Sequence, residues 1–139
     1  KPSLPPKPLS KVASGGELSR ISLAIQVTTS TDKTTPTMIF DEVDSGIGGG
    51  IAEIVGQKLR QLSAKRQVLC VTHLPQVAAQ AHQHLFVAKD QQRDITASTV
   101  FNLSEQERVQ ELARMLGGVT ITANTLAHAE EMLQLGARQ

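Results

Sequence analysis

The sequence predicts an α/β domain built on a parallel βαβ unit, with flanking helices and a C-terminal hairpin and helix region. Three observations carry that expectation. Met38-Ile-Phe40 and Val68-Leu-Cys-Val71 are short apolar runs of strand length. Between them Ile51, Ile54, Val55, Leu59 and Leu62 recur at helical spacing as one apolar stripe, with Lys58, Arg60 and Gln61 near or beyond its edge. A strand, a helix and a strand at this spacing read as a right-handed crossover between parallel strands. Because Val68-Leu-Cys-Val71 is apolar throughout, it is expected to be buried on both faces.

The remaining elements follow in order. The stretch Lys1-Pro-Ser-Leu-Pro-Pro-Lys-Pro-Leu9 favours extended polyproline structure, so residues 1–10 read as a proline-rich linker or fragment start, and 11–139 as the folded part. Ser14 and Glu17 have the spacing of a capping box. The helix they open runs to about Thr28, with Leu18, Ile21, Ile25 and Thr28 in register and Leu23, Ala24 and Val27 widening the apolar side, and is expected to be largely buried. The polar run Thr28 to Thr37, with Pro36, is a surface loop, and Gly46-Ile-Gly-Gly-Gly50 a permissive turn. Pro75 suits the first turn of a short helix through Ala81. Leu85 to Lys89 and Ile95 to Phe101, separated by Asp90-Gln-Gln-Arg-Asp94, read as a hairpin. A second capping box, Ser104 with Glu107, opens a helix with Val109, Leu112, Ala113 and Leu116 on one face and Gly117-Gly118 at its end, and a last helix spans about Thr122 to Leu135.

Composition excludes several classes. A chain of 139 residues can bury a real core, and a formal net charge of +1 provides no strong field for nucleic acid or an anionic membrane. With three Phe and no Trp or Tyr there is no aromatic platform for stacking bases. A single cysteine, Cys70, forbids an internal disulfide and fits a reducing compartment, where it would fill core space. No apolar run spans a bilayer and no signal-peptide order opens the chain, so the expectation is a cytoplasmic protein with no membrane contact.

Chemistry is concentrated in three places. Gly15 and Gly16 open a helix at a cost of about 1 kcal/mol each relative to alanine. Two readings account for them: close approach of an anion such as phosphate to the helix start, or a tight cap packed on neighbouring backbone. Asp41 and Glu42 follow an apolar strand directly, either as two exposed acids that simply end it or as the Walker B pattern of nucleotide hydrolases. There the first acid can hold Mg²⁺, usually through its water shell, and the second can orient and deprotonate an attacking water. His73 follows the second strand, so Asp41, Glu42 and His73 all fall at the carboxyl ends of parallel strands, where open α/β sheets bind ligands. His82 and His84 lie two apart without a cysteine or close carboxylate to complete a zinc set, and neither Ser14 nor Ser45 lies in a Gly-x-Ser-x-Gly elbow.

Together these segments resemble a known family. Lys11-Val-Ala-Ser-Gly-Gly-Glu-Leu-Ser-Arg-Ile-Ser-Leu-Ala-Ile-Gln26 is similar to the signature motif of ABC-type ATPases in its SMC-like form. Ile39-Phe-Asp-Glu-Val-Asp-Ser-Gly-Ile-Gly-Gly49 resembles the Walker B and D-loop, and Val71-Thr-His-Leu-Pro-Gln-Val-Ala78 the switch-histidine segment. The three stand in order from about Pro8 into the last helices. The resemblance implies that 11–139 is the C-terminal lobe of an ABC-type P-loop NTPase head, split in sequence by a long coiled coil and acting in DNA double-strand break repair. It implies ATP and Mg²⁺ as cofactors, a homodimer joined through ATP, and DNA as partner of the whole protein in the bacterial cytoplasm or nucleoid.

The same resemblance implies roles by position. Ser14, Gly15, Gly16 and Glu17 would face the γ-phosphate of a nucleotide bound mainly by the opposite subunit. Asp41 would support Mg²⁺, Glu42 would be the general base, Asp44 would communicate across the dimer, and His73 would sense the γ-phosphate. Ala13 and Glu17 stand where the transporter-type signature has leucine and glutamine, which favours the SMC-like form. The sequence holds no Gly-x-x-x-x-Gly-Lys-Ser/Thr loop; the family carries it in the N-terminal half, so this chain alone is expected to bind and turn over little ATP. The alternatives are another SMC-like or ABC-type head, and a dimerisation or scaffold module that does not hydrolyse.

Overall fold

A computed structural model describes residues 5–29, 35–92, 95–117 and 120–138. The chain forms two compact units that divide after Thr72.

The first unit begins with one helical turn, α1 (Leu9–Val12), immediately after the last proline of the opening segment, with Pro8 at its N-cap. Helix α2 (Gly15–Thr29) follows, then strand β1 (Thr37–Phe40), helix α3 (Gly49–Ser63) and strand β2 (Gln67–Cys70). Strands β1 and β2 pair in parallel with Thr37 opposite Gln67 and Phe40 opposite Cys70, the βαβ arrangement expected. Helix α3 packs on both β2 and α2. The core contains Leu23, Phe40, Val43, Ala52, Val55, Leu59 and Leu62. The glycine-rich turn takes positive φ at Gly46 (72°) and Gly49 (54°), where a side chain would be strained.

Three burial expectations are corrected. The β1–β2 sheet is covered on one face only: Phe40 is buried and Met38, Val68 and Cys70 are at least partly covered, while Ile39, Leu69 and Val71 on the other face are 70%, 41% and 61% exposed. Strand β2 therefore alternates. Helix α2 is not largely buried either, because it packs on α3 along its Leu23 side and leaves Leu18, Ile21 and Ile25 exposed. On α3 the buried line is Ala52, Val55, Gly56, Leu59 and Leu62, whereas Ile51 and Ile54 point outward. The helix is thus rotated toward the small residues at 52 and 56 and away from the larger isoleucines.

The second unit opens with α4 (Pro75–Ala78), shorter than the helix through Ala81 expected from Pro75. The chain tightens after Ala78, with Gln80 N–H donating to Val77 O (3.1 Å) and Ala81 N–H to Ala78 O (3.2 Å), and the freed Ala81 carbonyl accepts from Arg108 instead. Strands β3 (Leu85–Gln92) and β4 (Ile95–Asn102) form the antiparallel hairpin, Leu85 opposite Asn102 and Val87 opposite Val100. They extend into the polar stretch read as the connection, since a backbone ladder asks nothing of the side chains at its tip. Residues 30–34 of the expected loop, 93 and 94 of the connection, and Gly118 lie outside the described residues.

Helices α5 (Glu105–Gly117) and α6 (Ala123–Ala137) complete the unit and pack on each other. Both halves of the second capping box are made: Ser104 N–H donates to Glu107 Oε1 (3.1 Å) and Glu107 N–H to Ser104 Oγ (3.2 Å). Donation from the Ser104 backbone N–H, and then from its hydroxyl, holds the Glu107 carboxyl below its ordinary value. Ala78, Ala79, Leu112, Ala113 and Ala129 form the core of this unit. No described helix is long and apolar enough to cross a membrane.

Candidate functional site

The site is built where β1 ends. The turn that follows, residues 41–45, carries both acids and is shaped from within by two bonds. Glu42 N–H donates to Asp41 Oδ1 (2.8 Å), and Ser45 N–H donates to Glu42 O (3.0 Å). Glu42 has φ 58°, the sole non-glycine with positive φ among the described residues. A left-handed conformation at such a residue persists only where its surroundings over-determine it, and such strain concentrates at functional positions.

Helix α2 provides those surroundings. Ser19 Oγ–H donates to Asp41 O (2.7 Å), and Arg20 Nη1 donates to Val43 O (3.2 Å) and Ser45 O (2.8 Å). Three carbonyls of one short turn are thereby held from one turn of helix. Sequence reasoning did not single out Ser19 or Arg20. Their signal was present, since adjacent polar residues interrupt the apolar register of α2 one turn beyond the glycine pair.

The glycine pair meets the same turn. A Cβ built on Gly15 would overlap Glu42 Oε2, and one on Gly16 would come within 3.0 Å of Glu42 O, Ser45 Cβ and Ser45 O. Gly16 is buried and Gly15 exposed. Of the two explanations left open by sequence, close packing on neighbouring backbone applies to Gly16, while Gly15 presents its backbone outward beside a carboxylate. Ahead of them the capping box is made, with Ser14 N–H donating to Glu17 Oε2 (2.8 Å) and Glu17 N–H to Ser14 Oγ (3.2 Å). Ser14 and Glu17 are exposed at the helix start.

Asp44 is 2% exposed and its carboxylate accepts from the hydroxyl of Thr72, binding the turn after β1 to the segment leaving β2. Val71 N–H donates to Phe40 O (2.9 Å), so the two chain exits leave the same end of the sheet. Cys70 lies on the covered face between them. Burial, followed by the carboxylates of Asp44 and Asp41, pushes its thiol up to about 12. His73, next after Thr72, is exposed and opens the second unit. The structure thus brings Gly15, Gly16, Asp41 and Glu42 into one locality and joins Asp44 to Thr72.

As to metal, Asp41 is exposed and one carboxylate oxygen is already engaged by the Glu42 amide. A single part-engaged carboxylate suits Mg²⁺, which retains several waters and takes further ligands from phosphates, and does not suit an ion needing an all-protein cage. Among the described residues no group of three or more His, Cys, Asp or Glu could enclose a metal.

No protein-family model matches the chain. Its sequence is 59% identical over 133 residues to the DNA repair protein RecN of Xylella fastidiosa (strain 9a5c), covering 96% of this chain and 24% of that protein. It is 55% identical over 132 residues to RecN of Vibrio cholerae serotype O1, with 95% and 24% covered. It is 49% identical over 130 residues to RecN of Bacillus subtilis (strain 168), with 94% and 23% covered. The chain therefore spans about a quarter of the length of these relatives. A solved chain from the work "Structural biochemistry of ATP-driven dimerization and DNA stimulated activation of SMC ATPases" matches with a TM-score of 0.57 and 23% identity, over 79% of this chain and 66% of that one. At that identity the likeness is one of fold, the α/β fold of an SMC ATPase head. Sequence and fold agree, and the chain matches, along nearly its whole length, the C-terminal part of the RecN DNA repair proteins.

Proposed function

We propose that this chain supplies the C-terminal lobe of an SMC-like ATPase head that binds and hydrolyses ATP at a dimer interface in the repair of DNA double-strand breaks. The observation that carries the reading is the turn after β1: Glu42 is held in a left-handed conformation, next to Asp41, by donors from the helix that begins at Gly15. An acid kept in a strained backbone state at the carboxyl end of a parallel strand is suited to a general base.

In this reading Glu42 takes the proton of the attacking water. Asp41 would hold Mg²⁺, which when bound would supply positive charge at the phosphates. Exposed Ser14 and Gly15 offer a hydroxyl and a helix-start amide to an anion bound by a second copy, with Glu17 fixing Ser14 through the capping box. Gly16 lets that helix start lie directly on the Glu42 turn. Asp44 serves the dimer contact through its buried link to Thr72, and His73 contacts the γ-phosphate. The outward apolar residues Ile39, Leu69 and Val71 are then a seam for the remaining three quarters of a RecN-length protein, which brings the phosphate loop and the coiled coil. DNA is the partner of that whole protein.

The test is ATP turnover by this chain reconstituted with the N-terminal portion of a RecN relative. Glu42→Gln is expected to lower kcat about 10²- to 10⁴-fold, and equal turnover by the two proteins rejects the base assignment. Ser14→Arg is expected to block ATP-driven dimerisation while leaving ATP binding by the other portion intact; unchanged dimerisation rejects the contact in trans.

A further inference from the structure

We infer that Arg20, assisted by Ser19, is a positioning residue that locks the turn carrying Glu42 to the start of α2, so that a displacement at Gly15 is transmitted to the base. The inference rests on the role given to Glu42 under the proposed function, and it gives Ser19 and Arg20, which lie within the signature segment with no role assigned to them there, a task and a direction of coupling.

The geometry is a pull and a push from the same helix. The pull comes from Arg20, whose Nη1 is shared between Val43 O and Ser45 O, and from Ser19, which takes the carbonyl of Asp41. Donation from a guanidinium is charge-assisted and geometrically fixed, and a lysine ammonium reproduces the charge but not the planar fork. The push comes from Gly16, whose α-carbon lies so close to Glu42 O and Ser45 that a methyl group there would force them back by a few tenths of an ångström. Pulled and pushed by one helix, residues 41–45 are held at a fixed distance from α2. The internal bonds of the turn, Glu42 N–H to Asp41 and Ser45 N–H to Glu42 O, set its shape but not its place.

The consequence concerns how the base responds to an anion. Under the proposed arrangement the α2 start of one copy faces the nucleotide of its partner, and the Glu42 carboxylate lies directly beside that start. Arg20 then makes the helix start and the turn a single piece, and arrival of an anion at Gly15 adjusts the base beside it. Such transmission needs an element whose position both sites bias.

Two measurements decide this. In the chain alone, amide hydrogen exchange at 42–45 is expected to speed up about tenfold or more in Arg20→Ala, less in Ser19→Ala, and to an intermediate extent in Arg20→Lys, with exchange in α5 and α6 unchanged. Exchange at 42–45 within twofold of the unsubstituted chain in Arg20→Ala overturns the clamp. In the reconstituted head, Arg20→Ala is expected to lower kcat at saturating ATP about tenfold or more with KM within twofold, and to reduce the ATP cooperativity of turnover, with Arg20→Lys restoring part of each. Unaltered kcat and cooperativity, with faster exchange, overturn the coupling and leave a fold contact. An unsubstituted head that does not hydrolyse ATP overturns the functional reading and the coupling together, and the clamp is still decided by exchange.

Discussion

Replacing each glycine of the pair by alanine separates the two reasons for having them. At Gly15 the new methyl would overlap only the far end of the Glu42 side chain, with Glu42 Cδ 3.6 Å away, and a rotation about the side-chain bonds clears it. That rotation costs about 0.5–1.5 kcal/mol, against a gain of up to about 1 kcal/mol in helix propensity. Gly15→Ala should therefore leave stability within about 1 kcal/mol of the unsubstituted chain while moving the carboxylate. At Gly16 the methyl meets two carbonyl oxygens and Ser45 Cβ at 3.0 Å, and the turn cannot retreat without stretching the 2.8 Å bond from Arg20 to Ser45. Overpacking of this kind costs about 1–3 kcal/mol, so after the same propensity gain of up to about 1 kcal/mol the net loss is about 0–2 kcal/mol. With no Trp or Tyr to report, circular dichroism in urea and amide exchange in α3 are the suitable probes of the first unit. A Gly16→Ala chain as stable as Gly15→Ala would refute the argument that backbone contact, and not a ligand, fixes residue 16.

Two other outcomes follow from groups away from the acids. The Cys70 thiol, pushed up to about 12, keeps its proton in the folded chain while the unfolded chain loses it from about pH 9, so stability is full below pH 9 and declines as pH rises toward 12. Cys70→Ala should flatten that decline, and at pH 8 alkylation of Cys70 should be roughly a hundredfold slower folded than in urea. In the second unit, Arg108 is 5% exposed and donates to Ala81 O (2.8 Å) and His82 O (3.3 Å), so Arg108→Met strands two carbonyls and should cost about 2–4 kcal/mol in urea unfolding. Burial and then the Arg108 charge hold His84 below its ordinary 6.5, which makes stability fall as pH drops through that value. In Arg108→Met the His84 titration seen by NMR should move upward and the acid decline should shrink.

The sequence makes the elements legible because their signals are local. Ser14 with Glu17 and Ser104 with Glu107 name two helix starts to the residue, and both reciprocal bonds are made. The parallel pair was readable from two apolar runs around one amphipathic helix. Rotation and burial were not, because they depend on what lies opposite. Apolar count favours Ile51 and Ile54 as core, yet Ala52 and Gly56 are buried in their place. Val68-Leu-Cys-Val71 says that the strand is apolar and cannot say whether its second face finds a cover. At the site the acids and glycines were legible as residue types, but the left-handed Glu42, the donors from Ser19 and Arg20 and the Asp44–Thr72 bond are properties of a fold already closed.

The two-stranded sheet also bears on how such a chain can be made. Among the described residues β1 pairs with β2 and with no other strand, so each has an outer row of amide and carbonyl groups, bordered by Ile39, Leu69 and Val71. Open rows of this kind template whatever extended peptide arrives first. Synthesised by itself at high concentration, the chain places its own copies in competition for those rows, and yield becomes a matter of order of arrival. Pairing of those rows with a further strand would turn the same exposed edges from an aggregation hazard into the starting point of assembly.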